Sequence, residues 1–125
     1  MRKHLVLIIA LFTLASFATK ASEREWTPDT KDIAKLESVV DLSKAKHIES
    51  SPPAPLAQYT REYAGVWSNG RRMIRGAFLL GAPTGVRIVP EKSLTQILDG
   101  GCSVINLLYD AEADKILWID CNGVA

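Results

Sequence analysis

The sequence predicts an α+β domain: an N-terminal helix packed on an antiparallel meander sheet of four or five strands, with one disulfide. Three observations carry this. Ile33, Leu36 and Val40 recur at helical spacing in the first part of the chain, with Lys31, Lys35, Glu37 and Ser38 off that stripe. From Gln58 onward the period changes to apolar runs of strand length separated by turn signals. The only two cysteines, Cys102 and Cys121, stand at the two open ends of a pair of such runs.

Before the helix lies a stretch that reads as an export leader. Met1-Arg2-Lys3-His4 is a positive n-region, Leu5 to Ala18 is apolar, and small residues allow cleavage after Ala18 or, preferred here, after Ala21. The apolar run is shorter than the roughly 17–25 residues a spanning helix needs. The expectation is therefore a signal peptide over 1–21 and a single domain over 22–125. That domain has no stable membrane anchor after cleavage and a periplasmic or secreted location. Arg2, Lys3 and Lys20 leave with the leader, which turns 15 basic against 14 acidic residues into 12 against 14, a net charge of −2. This balance argues against a nucleic-acid partner, which needs a clustered positive surface.

Within the domain, residues 22–57 carry the helix and a connector, and 58–125 the sheet. Thr27-Pro28 reads as N-cap and first helical residue, with Asp29 and Asp32 suited to the positive end of the helix. The end of the helix is open, since Leu42 to Lys46 is compatible with a ragged continuation. Glu49 to Pro55 has three prolines in four residues and reads as an extended connector. A strand to about Trp67 follows, then Asn69-Gly70, the strongest short hairpin signal, and a second strand Arg71 to Leu80. A two-residue loop sets Trp67 opposite Arg72, Gly65 opposite Ile74, Tyr63 opposite Gly76, Arg61 opposite Phe78 and Tyr59 opposite Leu80. This is the expected core face, with the Tyr63 ring covering the gap at Gly76. The other face, Thr60 to Val66 against Met73 to Leu79, is mixed and expected to be half exposed. Val86 to Val89 reads as a short strand ended by Pro90. Ser93 to Leu98 fits either one or two helical turns or an irregular loop with buried leucines.

The last pair of runs, Cys102–Tyr109 and Asp114–Cys121, joined by Asp110 to Ala113, sets Cys102 directly opposite Cys121. Facing Cβ atoms about 4.5–5.5 Å apart need only a modest approach to form a disulfide, and an exported chain favours one. The loop this bond closes contributes about 3 kcal/mol in the chain-entropy account. The same register makes the hairpin apolar on both faces, so it is either central in the sheet or covered by the helix on one side and a partner on the other.

Candidate chemistry is sparse. His47 is the one histidine after the leader, which leaves Ser-His-Asp, Cys-His and histidine-based metal sites little to build on. No phosphate-cradling loop is present. No catalytic residue, metal ligand or cofactor is assigned. Glu62, Asp99 and Asp120 are the carboxylates that a glycosidase reading would use. Arg71, Arg72, Arg75 and Arg87 are the one basic concentration. Arg71, Arg72 and Arg75, with Trp67 at the hairpin tip, form the candidate binding group for an anion or an acidic partner. Local ion pairing is the plainer role for those arginines, and core packing for Trp67. The leading expectation is a non-catalytic binding or interaction protein (an inhibitor, immunity-type or accessory protein) whose partner is another protein. A small carboxylate-dependent hydrolase of extracellular or cell-wall glycans and a structural homo-oligomer are the alternatives.

Overall fold

One α-helix and a five-stranded sheet form the framework of the described residues. The computed structural model describes residues 25–46 and 51–124; the leader, His47 and the first residues of the Pro-rich connector lie outside them. Helix α1 spans Thr30–Val39, and the strands are β1 (Tyr59–Ser68), β2 (Arg71–Leu80), β3 (Gly85–Ile88), β4 (Val104–Asp110) and β5 (Lys115–Cys121). Strand order is β3-β1-β2-β4-β5.

The helix begins two residues later than the Thr27-Pro28 pattern predicts. Asp29 is its N-cap: Asp32 N–H donates to Asp29 Oδ1 at 2.9 Å, and Asp29 N–H donates back to Asp32 Oδ2 at 2.8 Å. The backbone N–H of Asp32 holds the Asp29 carboxyl below its usual range. Trp26 and Pro28 are engaged elsewhere. Trp26 Nε1–H donates to Val66 O at 3.0 Å, and a Cβ on Gly65 would stand 2.1 Å from Trp26 O and 3.0 Å from Pro28 Cδ. This close approach keeps the lead-in extended across β1, and glycine at position 65 permits it. Val40 ends the helix, and Asp41 then caps a separate 3₁₀ turn, Leu42–Lys44, so the ragged continuation does not occur.

Asn69 and Gly70 both take positive φ, and β1 pairs with β2 in the register that the two-residue loop predicts, from Tyr59↔Leu80 to Ser68↔Arg71. On the first face Tyr59, Tyr63, Ile74 and Phe78 join Ile105, Leu107, Tyr109 and Ile119, and Ile33 and Leu36 of α1 close over them. The Tyr63 and Phe78 rings meet edge-on at 5.6 Å. Tyr63 pairs with Gly76 as expected, and Leu107 and Phe78 crowd the glycine: a Cβ there would come within 2.9 Å of Leu107 Cγ. Glu37 ties the helix to this face. It accepts from Arg61 Nε at 2.6 Å and Nη2 at 3.2 Å, and from the Tyr63 hydroxyl at 2.7 Å. Burial, and then the bond to Glu37, push the Tyr63 hydroxyl pKa upward.

The sheet is mixed, which corrects the antiparallel meander. β3 runs parallel to β1, from Thr60↔Gly85 to Tyr63↔Ile88. A short turn carries the chain from the end of β2 around the start of β1. It contains the cis Ala82-Pro83 bond, and Gly81 and Gly85 have positive φ. Gly81 N–H donates to Gln58 O at 3.0 Å, and the Thr60 hydroxyl donates to the carbonyls of Gly81 and Pro83. With β2 paired to β4 on its far side, β1 offers the open edge that β3 fills.

Residues 89–100 then cross the second face of β1 and β2 to reach β4. Thr95 N–H donates to Glu62 Oε1 at 2.8 Å on the way. Thr60, Glu62, Ala64, Met73 and Ala77 are buried, so the face expected to be half exposed is covered. The crossover holds one 3₁₀ turn, Glu91–Ser93, and no helix over Ser93–Leu98. Its leucines are not core: Leu94 is half-buried and Leu98 is 96% exposed.

The second hairpin departs from its predicted register. Asp110 pairs with Lys115 and Tyr109 with Ile116; after a bulge Leu108 pairs with Trp118, Asn106 with Asp120 and Ile105 with Cys121. Two local forces move the turn. The Asp110 carboxylate accepts from Glu112 N–H and Ala113 N–H, both at 2.9 Å, and Asp114 takes positive φ while accepting from the Tyr109 hydroxyl. The loop is therefore 111–114. The bulge adds one further residue of offset, leaving Leu117 without a cross-strand partner. Cys102 lies ahead of β4, in the 3₁₀ turn Gly101–Ser103, yet still forms the disulfide with Cys121 at a Cα–Cα separation of 4.6 Å. The Tyr59 hydroxyl holds that turn by donating to Cys102 O at 2.6 Å. The register sends Ile105, Leu107, Tyr109, Ile116 and Ile119 to the core and Asn106, Leu108, Trp118 and Asp120 to the second face. β5 is an edge strand, so the hairpin is not central.

Candidate functional site

The four residues singled out at the first hairpin tip do not converge. Arg71 forms a two-point pair with Asp110, Nε–Oδ2 at 2.9 Å and Nη2–Oδ1 at 3.2 Å. That guanidinium, with the N–H groups of Ala113 and Glu112, holds the Asp110 carboxyl below its usual range. Arg75 reaches Glu91 at 3.6 Å on the same second face. Arg72 points to the first face, its guanidinium carbon 5.7 Å from the centre of the Trp26 ring. Trp67 is half-buried and, with Trp26, lines a cleft of about 530 Å³ beside Ile88, Pro90 and Glu91. Each of the three arginines has a local partner, and alternation along β2 separates Arg72 from the other two. Arg87 is exposed on β3.

Two of the candidate carboxylates, Glu62 and Asp120, are set apart along the sheet. Glu62, Ala77, Asn106 and Asp120 lie in one row across β1, β2, β4 and β5. Three interstrand steps separate Glu62 from Asp120 by about 14 Å, beyond the ~5–9.5 Å that two carboxyl groups need to flank a glycosidic bond. Glu62 is buried and holds the crossover through Thr95. Asp99 is exposed, and its carbonyl accepts from Asn122 Nδ2 at 3.0 Å. Among the described residues no group of three or more His, Cys, Asp or Glu is placed to hold a metal ion.

Sequence reasoning missed the surface on both sides of β5. On the second face a cleft of about 430 Å³ runs between the crossover and β2, β4 and β5, lined in part by Leu94, Ile97, Leu98, Asn106, Trp118 and Asp120. Its far wall is held by Asn122, which accepts from Asn106 Nδ2 at 2.7 Å and donates to the carbonyls of Ile97 and Asp99. These bonds fix 97–99 against the end of β5 and leave Leu98 pointing to solvent. On the other side a notch of about 420 Å³ lies between the end of α1 and the β5 edge, lined by Val39, Lys44, Lys46, Lys115, Leu117 and Trp118 among others. Trp118 borders both hollows, 37% exposed, with Ile97 and Leu117 at 41% and 46%. An exposed leucine alone means little on a protein surface, but an indole flanked by apolar neighbours on an edge strand is the composition of an interface centre. It is the bulge at Leu117 that turns Trp118 outward, and no residue pattern in the sequence marks it. No known protein family, curated protein sequence or solved structure matches the chain.

Proposed function

We propose that this chain is an exported, non-catalytic binding protein that recognises another protein through the two flanks of β5. The single observation that carries this reading is Trp118, which stands on an edge strand between two hollows with Ile97, Leu98 and Leu117 exposed around it. A monomer that met only water would gain nothing from this grouping, whereas burying it against a partner removes large apolar surface from water at about 25 cal/mol per Å². Export is supported by the leader pattern of residues 1–21 and by the Cys102–Cys121 bond, which persists in oxidising compartments. The non-catalytic reading is supported by the dispersal of Glu62 and Asp120 and by the local pairing of Arg71, Arg72 and Arg75. An inhibitor, an immunity-type protein and an accessory subunit are all consistent with such a surface.

The test is recovery of a bound protein when the tagged mature chain is purified from its native envelope, beside Trp118→Ala and Leu98→Asp variants. Selective loss of one co-purifying protein in both variants is the expected result. Recovery that is unchanged in both, with the variants folded, would remove the proposal.

A further inference from the structure

We infer that the notch on the β5 edge receives an extended, acidic segment of the partner protein. This rests on the reading of β5 as the recognition strand and adds the chemistry of what it meets. Among the described residues no strand pairs with the outer edge of Lys115–Trp118. One residue further along, the chain itself shows that this edge accepts an extended segment: Lys46 N–H donates to Ile119 O at 3.2 Å and Cys121 N–H donates to Lys46 O at 2.8 Å, a parallel bridge opposite Asp120. An incoming backbone that continued this contact would lie across Leu117 and Val39, both exposed.

The charges around the notch select the occupant. Lys44, Lys46 and Lys115 are exposed there, and none forms an ion pair with a described residue. The acids of the same lining, Asp41 and Asp114, are two against the three lysines, and each bonds within the fold. Asp41 accepts from Ser43 N–H and Oγ–H at 3.0 and 2.6 Å, and Asp114 accepts from the Tyr109 hydroxyl. Asp120, beside Lys46, is the remaining carboxylate, on the second-face side. Lysines along an open edge repel the same edge of a second copy and any basic segment, which leaves an acidic segment with apolar side chains as the favoured partner.

The experiment places a photo-crosslinking side chain at Leu117, at Leu98 and, as a control, at Val86 on the opposite edge, and irradiates the full chain in its native envelope. The expected result is a crosslink from Leu117 to a partner segment of net negative charge. Its yield should fall about tenfold or more in a Lys44→Glu, Lys46→Glu, Lys115→Glu variant whose disulfide and circular dichroism match wild type. A crosslink to a basic or uncharged segment, to a second copy, or to anionic lipid overturns the inference, as does an unchanged yield on charge reversal. A crosslink from Leu98 with none from Leu117 overturns this inference alone and leaves β5 as the recognition strand. Silence at both positions removes both.

Discussion

The two hairpins of this sheet use the same architecture for opposite ends. β1–β2 lies inside the sheet and its middle is buried on both faces, with Ile33 and Leu36 of α1 in the core of one and the 89–100 crossover bonded to the other. β4–β5 buries one face and leaves its last strand at the edge with Trp118 and Leu117 exposed. The difference comes from the turns. Asn69-Gly70 makes the tightest loop and fixes the register without help. The 111–114 turn is set by side chains, Asp110 folding onto the loop and Asp114 onto Tyr109, and a bulge displaces the strand once more. One hairpin is built for the core, and the other sacrifices regularity to present a surface.

That contrast can be broken by substitution. Phe78→Ala, in the first hairpin, removes a fully buried ring that meets both Tyr59 and Tyr63, and is expected to cost about 3–5 kcal/mol in denaturant unfolding. A value under about 1 kcal/mol would mean that β1–β2 is not the stable half. Opening the disulfide with Cys102→Ser and Cys121→Ser is expected to cost about 3 kcal/mol, read the same way. The tip of the second hairpin should carry an acid-sensitive component through Asp110. Its pKa is depressed in the folded state, so the stabilisation is present above the ordinary carboxylate range, near 3.9, and is lost as pH falls through that range toward the folded pKa. Asp110→Asn keeps an acceptor for the loop N–H groups and should flatten this acid limb; an unaltered limb would count against the Arg71–Asp110 pair. The smallest stability effect is expected at Trp118→Ala, about 1 kcal/mol, because the indole is 37% exposed and lies outside the core cluster. A large loss there would place the indole in the fold and not in recognition.

How far the fold could be read from sequence followed the same divide. Local rules decide the first hairpin, so spacing alone sends Tyr59, Tyr63, Ile74 and Phe78 to the core. The helix stripe of Ile33 and Leu36 was equally legible, but its cap was not. Trp26 and Pro28 are held by Gly65 and Val66, some forty residues away, and that contact moved the start of α1 to Asp29. The parallel strand β3 was hidden for a related reason. Nothing in Val86 to Val89 states which edge it will join; that depends on β2 already being paired to β4. The disulfide follows from the sequence through a register that the structure replaces, since the turn at Gly101–Ser103 brings Cys102 to Cys121 by another route. The candidate site suffered most. The arginines are neighbours in sequence, yet the sheet separates Arg72 from Arg71 and Arg75, whereas Leu98 and Trp118 are distant in sequence and share one cleft.

The most direct test of the central claim, that recognition belongs to the second hairpin and stability to the first, is a hydrogen-exchange footprint of the mature protein with and without its captured partner. New protection is expected over Lys115–Trp118 and around Ile97-Leu98, with amides at the Asn69-Gly70 tip unchanged. Protection concentrated at Trp67, Arg71 and Arg72, with β5 unaffected, would contradict it.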